Sequence, residues 1–118
     1  MKIGLYNKIT GQCGEDAAAL LLKKKGYRIL EQNYKNKIGE IDIIALDNDT
    51  IVFIEVKTRS DDFFGAPSEA VNQKKREKYY KVALEYLTKT SNTDSLCRFD
   101  VVEIENGKIN HIDNAFSM

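Results

Sequence analysis

The chain has 118 residues, 42% of them apolar, and its 18 Lys and Arg balance 18 Asp and Glu. That suits one compact domain over residues 1–118 with a real core, leaves no apolar run near the roughly 18 residues of a membrane span, and disfavours a general nucleic-acid coat protein, which is normally basic. Cys13, Cys97 and the single His111 are too few for a disulfide framework or a zinc site, and Met1–Gln12 lack a signal-peptide pattern, so the expected location is cytoplasmic with reduced thiols.

The first predicted element is a helix from about Gly11 to Lys25, capped by Thr10 and stopped by Gly26, with Ala18, Leu21, Leu22 and Lys25 at helical spacing. A short strand follows over Tyr27–Asn33. Gly39–Leu46 and Thr50–Arg59 are rich in Ile, Val and Phe and flank Asp47-Asn48-Asp49, which has turn chemistry. Apolar side chains fall on both faces of these strands, so they belong at the centre of a sheet covered on both sides. Arg59–Ala66, followed by the single proline Pro67, reads as a loop. A second helix begins near Asn72, or Ser68, and reaches about Lys89, burying Tyr79, Val82, Ala83, Tyr86 and Leu87. Its start is locally basic: residues 74–81 carry five cations and one anion. Ser91–Ser95 is a loop, and Arg98–Glu105 and Lys108–Ile112 flank the hairpin signal Asn106-Gly107. The order α-β-β-β-α-β-β predicts an α/β sandwich with a mixed sheet of about five strands and two main helices.

The central hairpin concentrates acids. A symmetric turn at Asn48-Asp49 sets Asp42 opposite Glu55 and Glu40 opposite Lys57, while the period of two puts Glu40 with Asp42 and Glu55 with Lys57. Opposed Cβ atoms lie roughly 4.5–5.5 Å apart. Carboxylates so close repel, and Lys57 or a hard divalent cation such as Mg²⁺ would compensate. Glu15 interrupts the apolar stripe of the first helix and is a third candidate. The plainer alternatives are solvated charges at a sheet rim and, for Glu15, an acid favoured by the helix dipole. Asp100 reads as structural, pairing with Arg98 or Asp113, and His111 as a strand residue. Phe63 and Phe64 read either as a hydrophobic lid or as groups that stack on bases.

Gly14-Glu15, Asn33, Gly39-Glu40-Ile41-Asp42 and Phe53-Ile54-Glu55-Val56-Lys57-Thr58-Arg59 together resemble the YraN-like uncharacterised bacterial family. That family is similar to the restriction-endonuclease-like PD-(D/E)XK nucleases, particularly the archaeal Holliday-junction resolvases. The likeness continues through Phe64-Gly65, Val71, Lys75, Arg98–Val102 and Ala115-Phe116. One departure is Ile41, which stands where the superfamily nominally has proline. The resemblance implies a restriction-endonuclease-like fold in which Asp42 and Glu55 bind metal, Glu15 supports them, and Lys57 is the catalytic lysine. It implies one or two Mg²⁺ or Mn²⁺ ions and hydrolysis of DNA phosphodiester bonds, on branched or damaged DNA. Lys57 would orient or deprotonate the attacking water, or neutralise the scissile phosphate; the motif does not choose. Lys75, Arg59 and Lys74 are candidates for phosphate contacts, with surface lysine and arginine as the plainer alternative. Symmetric cutting of two strands would call for a homodimer. The competing expectations are a non-catalytic nucleic-acid-binding module that keeps the fold and a protein-interaction domain.

Overall fold

The computed structural model describes residues 3–59 and 73–116, with side chains from residue 14 to 58 and from 73 to 116. In chain order the elements are α1 (Ile3–Lys24), β1 (Arg28–Lys35), β2 (Glu40–Asp47), β3 (Thr50–Arg59), α2 (Gln73–Lys89), β4 (Leu96–Glu105) and β5 (Lys108–Phe116). The strands form one sheet in the order β1-β2-β3-β4-β5. Only β3 and β4, joined through α2, run parallel; the other neighbours are antiparallel. Over the described residues the fold is therefore α/β, α-β-β-β-α-β-β, with a five-stranded mixed sheet and two helices.

Both faces of the central strands are apolar because each carries a helix. Ile44, Ile51, Phe53, Phe99 and Val101 pack against Tyr79, Val82, Ala83, Tyr86 and Leu87 of α2. Ile43, Ala45, Val52, Ile54 and Val102 pack against Ala18, Ala19 and Leu22 of α1. Phe53 and Phe99 stack with centroids 5.4 Å apart, so cross-strand neighbours on the α2 face touch directly. Among the described residues no helix is long and apolar enough to cross a membrane.

The helix stops follow their local chemistry. Gly26 takes φ 94°, and Tyr27 N–H and Gly26 N–H return to the carbonyls of Leu22 and Lys23, the double bond of a Schellman cap. α2 ends likewise with Ser91 in the left-handed position at φ 59° and Asn92 N–H bonded to Leu87 O at 2.7 Å.

Several boundaries differ from expectation. α1 begins at Ile3, not Gly11, so Thr10 lies inside the helix and does not cap it; the roughly 1 kcal/mol helix penalty of each glycine does not break it. β1 continues past Asn33 because asparagine tolerates the left-handed φ of 55° found there, and Tyr34 and Lys35 go on to pair with Ile41 and Glu40. β5 runs to Phe116, beyond Ile112, across an irregularity that restores pairing at Phe99–Phe116. The expected loop with Phe63, Phe64 and Pro67, and the helix start at Ser68 or Asn72, lie outside the described residues.

Candidate active site

The β2–β3 register agrees with the symmetric turn over five pairs, from Asp47–Thr50 to Ile43–Ile54. The ladder stops there. Asp42, the next residue, turns its carboxylate across to β3, where Val56 N–H donates to Oδ2 at 2.8 Å. A side chain has replaced a main-chain acceptor, so the two strands part at this end. Neither the Asp42–Glu55 nor the Glu40–Lys57 opposition is formed, for that reason: Glu40 pairs with Lys35 of β1, and Lys57 pairs with Glu103 of β4.

The alternation of β2 also slips here. Ile43 packs on the α1 side, yet Ile41, two residues away, packs on the α2 side. Asn33 of β1, between the couples Gln32–Ile43 and Tyr34–Ile41, takes its left-handed φ at the same level. This shared irregularity lets Asp42 leave the pleat and lets Asn33 hydrogen-bond Glu15 of α1.

Asp42 and Glu55 line one cavity of about 220 Å³, together with Gly39, Glu40, Lys75, Lys78, Tyr79 and Val82. Glu55 is only 5% exposed. Its Oε1 accepts from Lys57 Nζ at 2.9 Å and Lys75 Nζ at 2.7 Å, while its buried Oε2 has no hydrogen-bond partner. Burial first, then the charges of Glu15, Glu55 and Glu40, push the Asp42 carboxyl up to about 6, against the lowering bond from Val56. Burial likewise raises Glu15, opposed by its bond to Asn33 and reinforced by Glu40 and Asp16. The two lysines move apart: burial and the neighbouring Lys75 lower Lys57, whereas Lys75, although burial works against it, is raised by its bond to Glu55 and by the charges of Glu55 and Asp42. Burial and the same carboxylates push the Tyr79 hydroxyl up, so it stays a neutral donor.

A hard cation fits this donor set in two respects. A buried carboxylate oxygen lacks a partner, and crowded acids raise one another's pKa, which a divalent ion would reverse. Asp42 and Glu55 are the residues that could hold it. Glu15 contributes charge, but among the described residues no three His, Cys, Asp or Glu side chains converge as a ready ligand set.

Lys75 stands in the cavity wall, while Lys74 is exposed and outside it. Arg59 ends β3 opposite Glu105, and its side chain lies outside those described. Lys78 and Tyr79 also line the cavity, although neither stood out in the sequence. Lys78 follows Lys75 by one helical turn, a spacing that does mark a shared face; Tyr79 was legible only as core. Asp100 binds Arg98 at 3.1 Å, as expected, and His111 at 2.7 Å in place of Asp113.

The model of an uncharacterised protein family, UPF0102, matches residues 14–104, which contain every residue of this site. A UPF0102 protein of Alkaliphilus oremlandii is 53% identical over 93% of this chain and 99% of its own length. Another from Clostridioides difficile is 50% identical over 95% of this chain and all of its own, and one from Persephonella marina is 44% identical over 97% and 98%. The chain therefore belongs to the uncharacterised protein family UPF0102.

Proposed function

We propose that the cavity between β2, β3 and α2 is a divalent-metal-dependent centre for hydrolysing DNA phosphodiester bonds, on a restriction-endonuclease-like fold. The observation that carries this reading is the meeting of Asp42 and Glu55, the second with a buried oxygen lacking a partner, in one cavity walled by Lys75 and Lys78. The resemblance of Gly39–Asp42 and Phe53–Arg59 to PD-(D/E)XK nucleases supports it, as does the element order.

Asp42 and Glu55 would hold Mg²⁺ or Mn²⁺, which when bound supplies an activated water and charge stabilisation at the phosphorus. Lys57, its pKa lowered by burial and by Lys75, is suited to take a proton from the attacking water. Lys75 and Lys78 present cationic charge to a phosphate entering from the α2 side. Branched or damaged DNA is the preferred substrate class, and a two-fold pair of chains would present two sites to two strands.

The test is cleavage of linear, single-stranded and four-way-junction DNA with Mg²⁺ or Mn²⁺. Asp42→Asn and Lys57→Ala are expected to abolish cutting while DNA binding persists, and that binding should weaken as salt rises. A second reading, a nucleic-acid-binding module without catalysis, has one observation in its favour: two lysines already neutralise Glu55. Salt-sensitive binding by the parent protein with no cleavage in either metal would select it.

A further inference from the structure

Among the described residues, Glu103 of β4 is the other buried acid on the α2 face. It is 7% exposed, and its Oε1 has no hydrogen-bond partner. An unpaired buried carboxylate oxygen costs free energy, so this one needs an occupant. Its position names a candidate. Glu103 is the register partner of Lys57 across the parallel β3–β4 pair, and the same register brings Phe53 and Phe99 into stacking contact four pairs earlier. Neighbouring strands lie about 4.7–4.9 Å apart, well within the swing of a four-carbon lysine stem.

The Lys57 ammonium is meanwhile on a crowded acceptor. It shares Glu55 Oε1 with Lys75, and two ammonium groups on one oxygen repel. A divalent ion at Asp42 and Glu55 would add a third positive centre, and the group with the alternative seat is the one to leave. We infer that Glu103 is a positioning residue for Lys57: it receives the ammonium when a divalent cation takes Glu55, so the lysine is held beside the site in the loaded protein. This rests on the metal-binding reading of Asp42 and Glu55.

The test is a double-mutant cycle read by Mn²⁺ affinity in calorimetry, with no substrate. Glu103→Gln keeps shape and removes charge. In the parent background it should weaken Mn²⁺ binding about tenfold, as loss of an outer-shell partner does, because the displaced lysine then competes for Glu55. In a Lys57→Met background the same substitution should change affinity less than twofold. Equal losses in both backgrounds, or none in the first, would overturn the inference and leave the metal site standing. No Mn²⁺ binding by the parent would overturn the metal reading and this inference together. As a second readout on the unmutated protein, the ¹⁵Nζ resonance of Lys57 should shift on Mg²⁺ saturation, and an unmoved resonance in a metal-bound protein contradicts the transfer.

Discussion

Asp42 is held in two incompatible environments at once. The Val56 N–H favours its ionised form, but burial and three neighbouring acids favour the neutral one and win, bringing it to about 6. An unfolded aspartate titrates near 3.9, so the folded protein holds this proton more tightly. The stabilisation from protonation is complete below about pH 4 and is lost as pH rises through about 6. At one pKa unit per 1.36 kcal/mol, ionised Asp42 costs the metal-free fold about 3 kcal/mol at neutral pH. Asp42→Asn keeps an oxygen for Val56 and removes the charge. It should raise the metal-free melting temperature at pH 7.5 by several degrees and abolish any rise caused by Mg²⁺. A calorimetric scan in which the variant melts below the parent would contradict this account of the acid's cost.

At the scale of elements, two contacts decide how helices meet the sheet and stop. Gly14 lets α1 close on β3: a Cβ there would clash with Thr58 Oγ1. Overpacking of this kind costs about 1–3 kcal/mol, whereas glycine inside a helix costs up to about 1 kcal/mol relative to alanine. Gly14→Ala alone should therefore destabilise the protein, and in a Thr58→Ala background the same change should become neutral or stabilising. Chemical denaturation of the four proteins would expose a missing sign change. Ser91 offers the complementary case. It is exposed and takes a left-handed φ that glycine adopts at less cost, so Ser91→Gly should stabilise by roughly 0.5–1 kcal/mol; a lower midpoint would show that the serine does more than end the helix. The sequence made Gly26, Asn106-Gly107 and the buried stripe of α2 legible because each is a local pattern. It also made the β2–β3 register legible, since a two-residue turn fixes pairing. It could not reveal that pairing ends at Ile43, because that depends on a carboxylate capturing a main-chain N–H on another strand. Nor could it show that Thr10 lies inside α1, because a good capping residue is not obliged to cap. That Asp42 and Glu55 line one cavity was legible in outline from the hairpin, although their direct pairing is not formed, whereas Lys78, Tyr79 and Glu103 needed α2 and β4 in place.

The whole molecule is tied on the opposite face of the sheet by Asp100, which is fully buried on the α1 side. It accepts from Arg98 Nε at 3.1 Å, His111 Nε2 at 2.7 Å and Asn114 N–H at 2.9 Å. Arg98 continues to Asp47 and Tyr27, and Lys25, just past α1, donates to His111 Nδ1 at 2.8 Å. Because lysine Nζ donates here, His111 Nδ1 accepts and its Nε2 side faces the Asp100 carboxylate. One carboxylate thus links the end of α1, the β2–β3 turn, β4 and β5. Burial alone would raise Asp100, but the bonds from His111, Arg98 and Asn114 outweigh it and hold the group below its ordinary value. Its contribution has the sign opposite to that of Asp42: present above about pH 4 and lost as pH falls through the depressed folded value. The metal-free protein should consequently be most stable in mildly acidic solution, declining above it as Asp42 ionises and below it as Asp100 protonates. Asp100→Asn leaves Arg98 short of a charge partner and should cost about 3 kcal/mol or more, as breaking a buried ion pair does, while flattening only the acidic limb of the profile. Asp42→Asn should flatten only the limb above. Thermal denaturation from pH 3 to 8 on the two variants separates these limbs, and a substitution that moved both would mean the two faces of the sheet share one titrating network.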